Sequence, residues 1–148
     1  MKRLWILGSV ILAMTTLFDN AYARDDRNMY SLSEALNTEA AKSKLDGSVR
    51  FYFGDQSHPG VSQRFGEVMT NKKTNAFNKT DKHACEWAFL SAMLSFQNRA
   101  KREGGNAVIN IRSYYKKNEI SSTTEFECGA GRVIAGVTFK GEIVKIGN

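Results

Sequence analysis

Residues 81–111 read DKHACEWAFLSAMLSFQNRAKREGGNAVINI, and this stretch decides how the chain folds. From Asp81 to Glu103 the spacing is helical. Trp87, Leu90, Met93 and Leu94 with the small Ala84, Ala88 and Ser91 form one stripe, which Phe89, Ala92, Phe96 and Ala100 widen. Thr80 or Asp81 serves as N-cap, Lys101 and Arg102 lie at the negative end of the helix dipole, and Gly104-Gly105 stops the helix. A strand follows at once, from Ala107 to Tyr115, opening Asn106-Ala107-Val108-Ile109-Asn110-Ile111. A helix that turns directly into an apolar strand predicts a helix packed on a sheet. So wide an apolar surface implies cover on a second side as well, from the N-terminal helix or a partner chain. Trp87, Phe89 and Phe96 are the candidate interaction face, and any function on this helix is expected where the sheet leaves its apolar face uncovered.

Upstream, Ser31 as N-cap with Glu34 three residues on predicts a helix running towards Asp46-Gly47. Ser48 to Phe53 alternates as a strand, with Val49, Phe51 and Phe53 on one face. Gly54 to Gly60 reads as a turn, Ser62 to Thr70 as a second strand, and Asn71 to Lys79 as a basic loop. Downstream, Ser121 to Cys128 returns as a strand, Val133 to Phe139 alternates again, and Gly141 separates a short last strand, Glu142 to Ile146. The expected order is α-β-β-α-β-β plus a C-terminal β ribbon. That is an α+β fold, with an antiparallel or mixed sheet and a long central helix packed on one face.

The N-terminus carries an address. Lys2-Arg3, the apolar run Leu4 to Leu17 and Ala21-Tyr22-Ala23 match a signal peptide cleaved between Ala23 and Arg24. Its apolar part, about 14 residues, falls short of the roughly 20 that span a bilayer, so no transmembrane anchor is expected. Residues 1–23 are thus read as the signal peptide and 24–148 as a single α+β domain. Without Lys2, Arg3 and Asp19 the 21 basic and 15 acidic side chains become 19 and 14, a net charge of +5. In an exported chain this favours an anionic envelope surface or an envelope protein as partner and not nucleic acid, although ordinary solvated lysines and arginines give the same total. Cys85 and Cys128, the only cysteines, are expected to form a disulfide in an oxidising compartment.

Catalytic signatures are absent. There is no phosphate loop, no Gly-x-Ser-x-Gly and no Cys-x-x-Cys, and Gly129-x-Gly131 lies between strands. His83 and Cys85 are two apart on a helix, so they point away from each other and form no dyad. A metal set would have to combine His83 or His58 with Cys85, Cys128, Glu86 or Glu127, without the paired short spacings of zinc sites. No cofactor is expected. Three readings follow: a non-enzymatic exported interaction or envelope-homeostasis domain, a metal-binding domain, and a hydrolase whose site leaves no signature.

Cys85, Gly104-Gly105-Asn106-Ala107-Val108-Ile109-Asn110-Ile111, Phe126-Glu127-Cys128-Gly129-Ala130-Gly131, Ala135-Gly136-Val137 and Lys140-Gly141 resemble a family of small exported bacterial proteins commonly mislabelled as the ATPase component of the excinuclease ABC. The missing phosphate loop contradicts that label. Where the family carries a histidine after the second cysteine, Gly129 stands here, which removes a metal ligand. More distantly, the helix, the Gly-x-Asn-Ala-Val strand and the return strand are similar to the YbjQ-type domains named for heavy-metal binding and to the Rcs stress-sensor lipoprotein. These resemblances imply a small α+β domain, a disulfide-braced helix-to-strand link as in the sensor, and a homo-oligomer as in the YbjQ type. The sensor's lipid anchor has no counterpart cysteine here. Intact mass of the exported protein with and without reductant is expected to show a chain beginning at Arg24 that gains two hydrogens on reduction.

Overall fold

Local chemistry sets both ends of the helix read above. Thr80 Oγ1 accepts from the His83 N–H at 3.1 Å, and Gly104 closes the last turn at a φ of 86°. A Cβ on Gly105 would stand 2.9 Å from the Val144 carbonyl oxygen, so the chain passes from helix to strand only because no side chain is there.

The computed structural model describes residues 24–147. The order is β1 (Asp26–Ser31), α1 (Leu32–Leu36), α2 (Glu39–Lys44), β2 (Arg50–Phe53), β3 (Val61–Asn75), α3 (Asp81–Glu103), β4 (Ala107–Tyr115), β5 (Asn118–Ile120), β6 (Glu125–Ala130) and β7 (Ile134–Ile146). The signal-peptide reading, with Ala21 and Ala23, lies outside the described residues. Arg24 lies inside them and pairs with Asp26 and with Asp81 at the start of α3.

All strands join one mixed, curled sheet. Its path is β1-β6-β7-β4-β2, with β3 on β7 and β5 on β4, and only β2 with β4 is parallel. β7 is the shared member. β3 pairs with it from Val61↔Ile146 to Asn75↔Ile134, while β6 and β4 take successive parts of its other edge.

The expected order needs four corrections. The charged start of the chain, to which the expected order gives no element, is a strand: β1 pairs with β6 from Asp26↔Ala130 to Ser31↔Glu125, because an edge strand needs backbone partners and no apolar alternation. The first helix begins at Ser31 as read, with the Glu34 N–H on Ser31 Oγ, but it breaks after Leu36. There Asn37 Nδ2 donates to Ser33 O, and Thr38 caps a new helix through the Ala41 N–H. The basic loop is largely strand, since β3 runs on to Asn75. Finally, Gly141 interrupts nothing. It lies within β7, where a Cβ would meet Val108 Cγ1 at 2.7 Å, so the glycine admits the core and does not end the strand.

α3 lies against β3, β6 and β7. Cys85, Phe89, Met93, Phe96 and Ala100 are fully buried there. Phe89 stacks into a cluster with Phe126 at 4.7 Å and Phe139 at 5.8 Å between ring centroids. Beside it Cys85 and Cys128 form the disulfide, closing a separation of 43 residues. In the chain-entropy account a loop of that size stabilises the fold by about 4 kcal/mol. Urea denaturation of the Cys85→Ala, Cys128→Ala double variant is expected to show a loss of about that size.

Candidate functional site

The flank of α3 that neither sheet nor loop covers is polar. Ser91, Leu94, Ser95, Asn98, Arg99 and Arg102 recur at the three- and four-residue spacing that keeps side chains on one helical face. All six line a groove of about 490 Å³ whose other wall is β3. β3 contributes Val68, Thr70 and Lys72, every second residue, with Met69 and Lys73 beside them.

The groove's charge is of one sign. The side chains of Lys72, Arg99 and Arg102 line it and no carboxylate does, while Lys73 turns to the opposite face of β3, its Cγ beside Gly136. Arg99 pairs with Glu103 at 2.6 Å. The nearby acid of the strand, Glu67, is held by Arg112, which also grips Glu119 on β5, both at 2.6 Å. Lys72, Lys73 and Arg102 have no ion-pair partner among the described residues. Buried Thr70 Oγ1 has no hydrogen-bond partner there either, a costly state for a hydroxyl. The arrangement holds cations around a partly apolar floor of Val68, Leu94 and Phe96. It can bind an anion, and no carboxylate or histidine stands among the residues that line it.

The other flank of α3 is occupied. Gln97 Oε1 accepts from the Asp46 N–H at 3.2 Å, and Lys101 is hydrogen-bonded to Asp46. Between α2 and α3 a smaller cavity of about 200 Å³ is lined by Thr38, Glu39, His83, Glu86, Trp87 and Leu90. The Trp87 indole N–H donates to His83 Nε2 at 3.1 Å. That bond makes Nε2 an acceptor and removes it as a free ligand atom.

A second set of charges closes on itself. On the sheet face away from α3, Tyr115 lies over Gly129, where a Cβ would stand 2.1 Å from its hydroxyl oxygen. Asp25 accepts from the Tyr115 hydroxyl at 3.0 Å and from Lys116, while Arg27 stacks on the ring at 5.3 Å. The Lys116 hydrogen bond holds the Asp25 carboxyl below the usual range, and burial, then Asp25, pushes the Tyr115 phenol up. Each member has a partner, so this group is a clamp on β1.

The structure separates the residues singled out in the sequence. Of the interaction-face candidates, Phe89 and Phe96 are 0% and 1% exposed and belong to the core, while Trp87 borders the smaller cavity. Cys85 and Cys128 are joined to each other and are not metal ligands. Glu127 is buried near Arg27 and Asn118, and His58 sits on the 54–60 turn against the Pro59 carbonyl. Among the described residues no three His, Cys, Asp or Glu side chains are placed to hold a metal ion. No helix among them is long and apolar enough to cross a membrane. Lys72, Lys73 and Arg102 are visible as basic residues in the sequence, but nothing there joins them; the polar 91, 94, 95, 98, 99, 102 spacing inside an apolar helix was the signal available. No family model, curated protein or solved structure matches the chain.

Three carboxyls are depressed by hydrogen bonds from cations: Asp25 from Lys116, Asp46 from Lys101 and Glu119 from Arg112. A depressed folded-state value contributes stability above the unfolded carboxyl value and loses it as pH falls through the folded one. The urea midpoint is therefore expected to hold above about pH 5 and to fall progressively below about pH 4, with Asp25→Asn removing part of that drop.

Proposed function

We propose that the protein is a non-enzymatic interaction domain, exported to the periplasm or beyond, that receives an anionic partner of the cell envelope in the groove between α3 and β3. The observation that carries this reading is the single-signed lining: three cationic side chains, Lys72, Arg99 and Arg102, on two walls and no carboxylate. Opposite charge is what such a surface selects, through both encounter rate and discrimination.

Three further features support it. The Cys85–Cys128 bond fits an oxidising compartment. The hydrophobic start of the chain fits a signal peptide. The resemblance to exported bacterial domains and to a stress sensor points to the envelope. The metal-binding alternative loses its two thiol ligands to the disulfide. No observation favours the hydrolase, because the groove brings together no general acid, base and nucleophile.

A photoreactive residue placed at Asn98, on the helix wall, is expected to crosslink an envelope component in cells, with the same residue at Asn28 as control. Charge reversal by Lys72→Glu with Arg102→Glu is expected to cut that capture at least about tenfold while leaving the urea midpoint within the range of ordinary surface substitutions. Capture that survives the reversal unchanged, or robust small-molecule turnover by the purified protein, refutes the reading.

A further inference from the structure

We infer that the partner enters the groove as an extended acidic segment of polypeptide, added as a new strand on the free edge of β3. The inference rests on the anion-receiving reading above and specifies the partner's form.

β3 pairs on one edge only. β7 holds it from Val61 to Asn75, and no strand among the described residues takes the opposite edge. The two irregularities of β3 fall between Val61 and Gln63 and between Arg64 and Gly66, where Gly66 has a φ of 106°. From Glu67↔Glu142 to Asn75↔Ile134 the register is unbroken. That run is about 30 Å of regular strand with unpaired backbone groups along one side. Exposed edges are ordinarily protected by bulges and lysines. Here the bulges lie outside the regular run, and the lysines have a further effect: Lys72 and Lys73 repel a second copy of the same basic strand while attracting an acidic one.

The helix wall gives the ligand its length and polarity. From Ser91 to Arg102 it extends about 17 Å, which matches about five residues of extended chain. The alternate side chains of a strand seated there that face α3 meet Val68 and Leu94, which suit apolar groups, and Lys72 and Arg102, which suit acidic ones, so apolar and acidic groups share one face of the ligand. The unpartnered Thr70 hydroxyl in the floor marks polar capacity that the protein itself does not use. A non-peptidic polyanion would use the charges but neither the free backbone nor the apolar floor.

The test titrates the oxidised mature protein with the synthetic peptide Glu-Thr-Val-Thr-Glu, which in an extended chain carries glutamate and valine on one face and threonine on the other. Controls are the same peptide N-methylated at alternate amides in either register, a lysine-for-glutamate version, and inorganic polyphosphate of equal charge. Amide chemical shifts and hydrogen exchange provide the readout. The acidic peptide is expected to bind and to slow exchange within Glu67–Asn75. N-methylation in one register is expected to weaken binding about tenfold or more, Lys72→Gln with Arg102→Gln to weaken it by a similar factor, and the lysine peptide not to bind. If N-methylation has no effect and polyphosphate binds equally well, the added strand is refuted while the anion-receiving groove stands. If no anion binds, both fall. If the protein instead self-associates through β3 and excludes the peptide, the edge belongs to a second copy and the inference is overturned.

Discussion

The packing of α3 on the sheet, pinned by the Cys85–Cys128 bond, is the constraint on which the rest of the structure depends. A helix with apolar residues on most of its circumference has no single preferred rotation about its own axis. The disulfide near its start and the glycine passage at its end remove that freedom. With Phe89 set between Phe126 and Phe139, the small residues Ala84, Ala88, Ala92 and Ala100 let backbone and sheet approach. The face carrying Ser91, Ser95, Asn98 and Arg102 is then forced outward beside β3, and the groove is its consequence.

The second determinant is β7. Because β4 and β6 share one of its edges, the other is left entirely to β3, whose far side has no partner strand among the described residues. Edge strands are managed according to what they must avoid and what they must admit. Glu67 is turned to Arg112, and Asp25, Arg27, Lys116 and Tyr115 close on one another. These charges are thus neutralised locally, while Lys72, Lys73 and Arg102 have no ion-pair partner among the described residues.

Much of this architecture is readable from residues near one another in the chain. Ser31, Thr80 and Gly104-Gly105 act through hydrogen bonds spanning a turn or two, so the ends of α3 and the start of α1 follow from the sequence. The break at Asn37-Thr38 was carried by the same kind of signal, with Thr38 a good N-cap hidden inside an apparently continuous helical pattern. Gly141 misled because an in-strand glycine facing a crowded core and a strand-ending glycine look alike until the opposing side chain, Val108, is in place. Gly129 is the same case, its need for no side chain created by Tyr115 from another strand.

The sequence by itself determined the apolar helix, its start and stop, the alternating strands and the pair of cysteines, because each rests on periodicity, on short-range capping or on a count. Only the tertiary structure decided which helical face is exposed, that β1 is ordered by β6, that β3 has no second partner strand among the described residues, and that Phe89 and Phe96 belong to the core while Arg99 and Arg102 face β3. Those outcomes depend on contacts between residues tens of positions apart. Pairing and burial at that range are set by what the rest of the chain leaves unfilled, which no local pattern records.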